Sequence, residues 1–218
     1  MEFTTEKDRQ RQRFTTIVLT DVLPDENWHF PMFLHTETPD NQCSPIDTSA
    51  KLSRGTVAKI CIIDNTGPSR PGYPGAQVWL EEFRKRNISE EFVVLVPFNG
   101  QLLTTFTEAF AMVEYAQQMG WKELIIVAPE FHLVRCMLSI ITAILTVNAD
   151  LKVFAQVGVR LPLYEDDVTH SQNRKFKNRS EISGLELESI EKYMATGTPV
   201  PLVSYAIALD YLVWRDTR

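Results

Sequence analysis

A histidine and an arginine stand three residues apart at the start of an apolar run, as His132 and Arg135 in the segment APEFHLVR. Side chains at positions i and i+3 of a helix project from neighbouring places on its surface. An imidazole and a guanidinium near a helix N-terminus are unfavourable with the helix dipole, whereas an anion bound between them and the free backbone N–H groups would offset that cost. The pattern therefore predicts a phosphate or carboxylate site. The alternative is that Arg135 pairs with a carboxylate of the chain, namely Asp64, Glu108 or Glu130.

Three residues are candidates for catalysis. His132 is the first candidate for a general acid or base, because an imidazole with its ordinary pKa of about 6.5 transfers protons near neutral pH. Asp64 and Glu108 carry carboxylates that could act as a base or hold a ribose. Cys136 lies four residues after His132, but a small core thiol is favoured there over a nucleophile or a metal ligand. No metal site is expected.

Further polar residues follow the predicted strands and are candidates for ligand binding. Thr105 and Glu108 stand in the capping-box spacing, which by itself explains both residues as the start of a helix. The alternative is that Thr105 and Thr107 present hydroxyl groups to an anion at that helix N-terminus. The predicted ligand-binding residues are Asn65, Thr66, Arg70, Asn99, Gly100, Thr105, Thr107, Glu130 and Arg135.

Alternating strand and helix patterns must position these residues. Apolar runs predict strands at 57–64, 92–97, 124–128 and 151–157. Helical spacing predicts helices at 76–86, 107–119, 131–147, 183–195 and 202–214. This alternation predicts an α/β fold, a Rossmann-like three-layer sandwich around a mostly parallel sheet of four to six strands. In such sheets ligands bind outside the carboxyl ends of the strands, where the strand order reverses, so the polar residues that follow strands are the most relevant to function.

The chain is expected to form a single domain over residues 1–218, with its core βα units at 56–160. Residues 1–55 are interpreted as an irregular N-terminal wrap, although 15–23 could be a strand, and residues 161–218 as a C-terminal loop and helices. Within the latter, the basic run from His170 to Arg179 is interpreted as a solvated loop, with an anion or partner contact as the alternative. The other histidines give no constellation; they are His29, His35 and His170.

Composition and charge exclude several classes of protein. The 218 residues carry 22 Lys and Arg against 28 Asp and Glu, a net charge of −6, which disfavours non-specific nucleic-acid binding. The 9 glycines form no dinucleotide fingerprint, P-loop or nucleophile elbow. The longest apolar run, 133–147, is too short to span a membrane. Three cysteines without a disulfide pattern, together with the lack of a secretory signal, predict a cytoplasmic protein.

The segment 105–136 resembles the DUF218 family, also called YdcF-like or SanA/ElyC-like proteins. Members of that family have T-x-x-E-[NA]-A, then an amphipathic helix, then a strand followed by H-x-x-R and a small residue. The matching residues here are Thr105, Glu108, Ala109, His132, Arg135 and Cys136. Asn99-Gly100 and the residues 64–67 stand where the family has glycine-rich turns. The resemblance covers roughly residues 57–159.

The resemblance implies a Rossmann-like domain with a small-molecule pocket at the strand ends, and nucleotide-like ligands or S-adenosylmethionine as the cofactor class. We therefore expect a protein that binds a phosphate-bearing or nucleotide-like ligand, held by Arg135 and His132, without a nucleic-acid or membrane partner. Whether it catalyses a reaction, and its oligomeric state, stay open. The alternative is a non-catalytic protein-interaction module that uses the N-terminal wrap or the loop at 165–180.

Overall fold

Five parallel strands form the centre of the molecule. The computed structural model describes residues 5–23, 30–53, 57–65, 73–98, 100, 103–165, 168–170, 174–176, 178–197 and 202–217. Strands β1 to β5 are Phe30–Leu34, Val57–Asp64, Val93–Pro97, Glu123–Ala128 and Lys152–Val157. They lie in the order β3-β2-β1-β4-β5, and every pairing is parallel. The α/β class and the parallel sheet predicted from the sequence are confirmed.

Helices cover both faces of the sheet. The described helices, α1 to α7, are Glu6–Leu19, Cys43–Leu52, Ala76–Lys85, Thr105–Gln118, Glu130–Val147, Arg179–Thr196 and Tyr205–Thr217. One hydrophobic core packs α2 and α3 against strand residues such as Met32 and Ile62, and the other packs α1, α4, α5 and α7 against residues such as Phe33 and Ile63. Successive strand residues point to opposite faces, so neighbouring side chains enter different cores. The result is the predicted three-layer sandwich.

The expectation of an irregular N-terminal wrap is wrong, because the described part of residues 1–55 contains α1, β1 and α2. Moreover, β1 is the middle strand of the sheet. The sequence pattern does not predict β1, because the run has only five residues and contains Pro31. Proline is tolerated in sheets only at edges, first positions or bulges. The register between β1 and β2 shifts between Phe30 and Met32, so Pro31 lies at such an irregularity.

The strand predicted at 15–23 is also wrong, since residues 15–19 belong to α1. That helix begins with a capping box in which the Thr5 hydroxyl accepts from the Asp8 N–H and the Asp8 carboxylate accepts from the Thr5 N–H. Phe14 and Val18, four residues apart, are both buried on one face. The β-branched residues of this run indicated a strand, but the cap and the helical burial spacing favour the helix.

The basic run 170–179 is more than a solvated loop. Its first part belongs to an antiparallel hairpin of β6 (Val168–His170) and β7 (Arg174–Phe176). Its last residue, Arg179, is buried and donates to Asn41 Oδ1 and to the Asp40 carbonyl, both at 2.8 Å. The guanidinium is thus bound to the segment that follows β1, within the same chain.

Helix α5 is the one described helix that is long and apolar enough to cross a membrane by length and composition alone. However, 67% of its residues are buried inside the domain, where it packs against α4, β4 and β5. A buried core helix of a folded domain meets the same criteria, as the apolar run 133–147 predicted.

A buried ion pair ties the end of α1 to α7 and to the edge strand β5. Arg215 donates to the two carboxylate oxygens of Asp21 at 2.6 and 2.9 Å, and the two side chains are 3% and 6% exposed. Asp21 also accepts from the Ala155 N–H at 2.8 Å, and Arg215 donates to the Val153 carbonyl at 3.0 Å. One pair therefore holds three elements together.

We predict that Asp21→Asn lowers the free energy of unfolding by about 3 kcal/mol, because it removes the buried, bidentate counter-charge of the Arg215 guanidinium. The half-exposed Asp216 carboxylate, 2.7 Å from Arg215 Nε, is then the remaining carboxylate partner described. Urea denaturation followed by circular dichroism measures the change. Asp210→Asn, at an exposed position of α7, is the matched control and should stay within about 0.5 kcal/mol of wild type. Equal losses in the two variants would contradict the prediction.

Candidate functional site

The strand order reverses between β1 and β4. From β1 the chain continues outward to β2 and β3 on one side, and then crosses to β4 and β5 on the other. The connections that leave β1 and β4 therefore diverge, and the crevice between them is where open α/β sheets bind ligands. Residues 35–37 follow β1 at this point, and the first turns of α5 follow β4.

Six ionisable side chains meet at this edge, and we call them the carboxyl-edge cluster. Five of them are buried, and the side chain of Arg135 is 12% exposed. They come from four places: the residues after β1, the start of α4, the start of α5, and α6. The cluster consists of His35, Glu37, Glu108, His132, Arg135 and Glu186.

Arg135 is held by a carboxylate that the sequence did not single out. Its Nε and Nη2 donate to the two oxygens of Glu186 at 2.5 and 2.9 Å, a bidentate pair between α5 and α6. The alternative prediction, that Arg135 pairs with a carboxylate of the chain, is therefore correct. The partner, however, is none of the three predicted ones, Asp64, Glu108 and Glu130. Burial alone would lower the pKa of Arg135, but the Glu186 carboxylate raises it above its ordinary value. An incoming anion would have to displace Glu186.

His132 is buried beside Arg135, as the i,i+3 spacing predicted, but its charge differs from the expectation. Its Nδ1 lies 3.2 Å from Arg135 Nη2 and 3.2 Å from the nearer Glu186 oxygen, and its Nε2 lies 4.0 Å from Glu37 Oε1. Burial, reinforced by the nearby guanidinium, lowers the pKa of His132 to about 4. The imidazole is therefore neutral at pH 7, and it is a poorer base than its ordinary pKa indicated.

Glu108 has a different role from the predicted capping box. The cap of α4 is formed by Thr104 and Thr107, whose side chains and backbone N–H groups bond reciprocally, and Thr105 is the first residue of the helix. Glu108 is buried and accepts from His35 Nδ1 at 3.0 Å, from the Thr36 N–H at 3.2 Å and from the Thr36 hydroxyl. The box lies one residue earlier than predicted, which frees the Glu108 carboxylate for the residues after β1.

His35 was expected to give no constellation, and that expectation is wrong. It is fully buried at the end of the central strand, where its ring lies 4.5 Å from the Phe33 ring and 6.2 Å from the His132 ring, centroid to centroid. The signal for it was present in the sequence: had 30–34 been recognised as a strand, residues 35–37 would have stood at a strand end like the other candidates.

Five buried polar atoms around the cluster have no hydrogen-bond partner among the described residues. Burial without a partner costs free energy, so such atoms in a folded protein indicate bound water or a ligand. Burial raises the pKa of Tyr73, and the Glu108 and Asp64 carboxylates raise it further, so the phenol lies near both. The atoms are His35 Nε2, Glu37 Oε1, Asp64 Oδ1, Asn65 Nδ2 and the Tyr73 hydroxyl.

Glu37 is a buried carboxyl group of the cluster whose pKa is strongly raised. Burial raises its pKa well above the ordinary 4.5, and the charges of Glu186 and Glu108 raise it further, while Arg135 opposes them. The group is thus favoured in its protonated form, in which it donates as well as accepts.

The remaining predicted residues divide into three groups. Asp64 and Asn65 lie at the end of β2 with the unpartnered atoms described above. Others do not join the cluster: Gly100 and Glu130 are exposed, with Glu130 Oε2 3.6 Å from Arg160, and Thr107 bonds within the α4 cap. Thr66, Arg70 and Asn99 lie outside the described residues.

The hairpin and α6 close over the residues that follow β1. Thr38 Oγ1 and Asn41 Nδ2 donate to the Thr169 carbonyl at 2.9 and 3.2 Å, and the Thr169 N–H donates to Asp40 at 2.7 Å. With the contacts of Arg179, these bonds fix the start of α6, which carries Glu186 to Arg135. The hairpin and α6 thus complete the site. Within the described part of the chain, no group of three or more His, Cys, Asp and Glu is arranged to hold a metal ion.

We predict that Glu186→Gln lowers the free energy of unfolding by about 3–5 kcal/mol, because the substitution removes the counter-charge of a buried guanidinium. Glu188→Gln changes an exposed residue of the same helix and is the matched control, expected within about 0.5 kcal/mol of wild type. Urea denaturation distinguishes the two. A Glu186→Gln protein as stable as the Glu188→Gln protein would show that the pair is not formed.

We also predict that His132 contributes a decrease in the free energy of unfolding as the pH falls from about 6.5 towards 4, and that the variant His132→Gln lacks this contribution. The folded pKa of about 4 lies below the ordinary 6.5, so the unfolded chain binds the proton first as the pH falls. The expected contribution is about 3 kcal/mol in total, at about 1.4 kcal/mol per pKa unit.

Glu37 acts with the opposite sign, because its raised pKa removes stability as the pH rises above 4.5. This dependence is common to wild type and His132→Gln, so the difference between their curves isolates His132. Denaturation of both proteins between pH 7 and 4.5 supplies the measurement. Parallel curves over that range would contradict the buried neutral imidazole.

Comparison of the chain with protein-family models, with curated proteins and with solved structures finds no match in any of the three. The resemblance to the DUF218 family therefore stays a prediction.

Proposed function

We propose that this protein binds a small polar molecule at the carboxyl ends of β1 and β2, beside the crevice between β1 and β4. The observation that carries the proposal is the set of five buried, unpartnered polar atoms from three separate segments of the chain. A ligand that presents matching hydrogen-bonding groups would satisfy them, and such convergent polar groups at this edge of the sheet are typical of ligand sites.

The charges of the site favour a ligand with hydroxyl or amino groups over a phosphate held by Arg135. The Arg135 charge is already balanced by Glu186, and the carboxyl groups of Glu37, Glu108 and Asp64 lie nearby. The Glu108 and Asp64 carboxylates would repel a phosphate. Hydroxyl and ammonium groups, by contrast, donate to carboxylates.

Of the two ligand classes that the family resemblance implies, S-adenosylmethionine therefore fits better than a phosphate-bearing nucleotide. Its ribose hydroxyls and amino group would donate to Asp64 Oδ1 and Glu37 Oε1, and Asn65 Nδ2 would donate to an acceptor of the ligand. Its positive charges would suit the acidic surroundings. A nucleoside-like ligand would thus be held at this edge without an anion contact to Arg135.

A protein-interaction role is the second candidate, and one surface supports it. Val159, Leu163 and Tyr164 are 39%, 46% and 79% exposed on the segment between β5 and the hairpin. Exposed apolar side chains that follow one another closely in the chain are candidates for a contact surface. An interaction surface formed by an irregular N-terminal wrap has no support, because this part of the chain contains β1, the buried central strand.

The cytoplasmic location stays part of the proposal. Cys43, Cys61 and Cys136 are free thiols, and the latter two are buried. Burial raises the pKa of Cys61 to about 12, so this thiol is a core residue without nucleophilic character. Free thiols persist in a reducing compartment, which supports the location.

Isothermal titration tests the ligand proposal with S-adenosylmethionine, adenosine and ATP on the wild-type chain. We expect S-adenosylmethionine to bind at least about tenfold more tightly than ATP, and Asp64→Asn to weaken its binding by about ten- to a hundredfold, the effect of a lost charged hydrogen bond. Asp210→Asn and Tyr164→Ser should leave binding unchanged. Absence of binding by all three compounds, or tighter binding of ATP, would overturn the proposal.

A further inference from the structure

We propose that His35, oriented by Glu108, is a general base that removes a proton from a hydroxyl group or water molecule at the carboxyl-edge cluster. This inference rests on the proposed function, since it assigns a reaction to the same site. The chemistry it implies is the activation of an oxygen nucleophile for attack on an electrophilic carbon. An ester carbonyl supplies such a carbon in the probe used below.

The contact between Glu108 and His35 fixes which ring nitrogen is basic. Glu108 Oε2 lies 3.0 Å from His35 Nδ1. Because a carboxylate oxygen accepts, the ring proton is placed on Nδ1, and the lone pair of the neutral imidazole is then on Nε2. A carboxylate that holds a histidine in this tautomer is the arrangement that makes the opposite nitrogen a proton acceptor in hydrolases.

His35 Nε2 is buried and has no hydrogen-bond partner among the described residues. The other unpartnered atoms identified above belong to the same edge of the sheet. The Glu108 carboxylate also contributes to the raised pKa of Tyr73, which carries one of these atoms. The free lone pair therefore lies in the region where the ligand is proposed to bind. Because most buried polar side-chain atoms have a hydrogen-bond partner, an unpartnered imidazole nitrogen at this edge is available to a water molecule or a substrate.

The pair is held on rigid elements, as a catalytic group requires. His35 directly follows the central strand, and its N–H donates to the Val127 carbonyl at 3.4 Å, which extends the pairing with β4. Glu108 is fixed from the other side by the N–H and hydroxyl of Thr36. These bonds leave the imidazole one orientation, with Nδ1 towards the carboxylate.

His132, in contrast, is not suited to this task. Its Nδ1 is occupied by Arg135 and Glu186, and its pKa is lowered to about 4. The neighbouring histidine with the carboxylate partner is therefore the better base, although both lie in the same cluster. The role that the sequence assigned to His132 moves to His35.

The proposed step can be written for a simple ester, p-nitrophenyl acetate, as a probe. His35 Nε2 takes a proton from a water molecule while the water oxygen forms a bond to the carbonyl carbon. The bond between that carbon and the phenolic oxygen then breaks, and p-nitrophenolate leaves with the electron pair. Acetic acid is the other product, and the imidazolium returns its proton to solvent.

The first test determines the tautomer of His35 in the folded wild-type chain at pH 7.5. Long-range ¹⁵N–¹H NMR spectra distinguish a protonated from an unprotonated ring nitrogen, and His35→Gln identifies the signals. We expect a protonated Nδ1 and an unprotonated Nε2, and a loss of this preference in Glu108→Gln. A proton on Nε2 in the wild-type protein would overturn the proposal.

The second test measures hydrolysis of p-nitrophenyl acetate by the wild type, His35→Gln, Glu108→Gln and the control Glu114→Gln, which changes an exposed residue of the helix that carries Glu108. We expect His35→Gln to lower the rate at least about tenfold, within the range of general-base effects. Glu108→Gln should lower it and shift the pH profile, whereas Glu114→Gln should leave it unchanged. Equal rates in wild type and His35→Gln, with both folded by circular dichroism, would overturn the proposal.

Failure of this inference is distinguishable from failure of the proposed function. If S-adenosylmethionine binds and the ester rate does not depend on His35, the site binds ligands without the proposed base. If the ester rate depends on His35 but none of the three compounds binds, the base stands and the ligand class is wrong. The NMR result decides the tautomer in either case, because it needs no ligand.

Discussion

A guanidinium and a carboxylate inside a protein must stay together, because either one alone would be a buried charge without compensation. Arg135 and Glu186 are such a pair, and they join the first turns of α5 to α6 over the carboxyl edge of the sheet. The Glu186 carboxylate balances the Arg135 charge, which the sequence pattern predicts to bind an anion. It also brings the C-terminal part of the chain into the site, where the core βα units alone would leave the edge open.

Around that pair, the character of the cluster follows from the excess of carboxyl groups over cations. Burial among these groups favours a neutral His132 and a protonated Glu37. These two side chains are therefore uncharged and need no oppositely charged partner. His35 and Glu108 form a separate pair, which leaves one imidazole nitrogen unused. Such a site suits neutral or cationic polar groups better than phosphates, and this electrostatic balance is the reason for the change in the proposed ligand.

The sequence revealed the fold where the local pattern was strong. Strands β2 to β5 are apolar runs between helices, and they were predicted nearly to the residue. β1 was missed because five residues with an internal proline resemble a coil. Consequently His35 and Glu37 were missed as well, although they follow β1 in the same way as Asn65 follows β2.

Glu186 could not be predicted, because nothing in a polar helix indicates which of its carboxylates meets an arginine about fifty positions earlier. Only three-dimensional packing selects it. The same holds for Glu108, whose local spacing is explained by a cap that lies one residue away in reality. Local sequence therefore identifies the edge of the sheet, whereas the pairing of charges across it is decided by distant segments.

The place of β1 has a consequence for how the chain reaches its folded state. Met32 pairs with Ile60 on one side and with Ile125 on the other. The early strand β1 is therefore paired on both edges only after the later strand β4 has joined the sheet. Contacts between such distant positions slow folding, because loop closure precedes the gain from pairing. During synthesis, the first βα units would emerge with one edge of β1 uncovered until β4 leaves the ribosome. The nascent chain would thus expose an unpaired strand edge, a surface that chaperones shield.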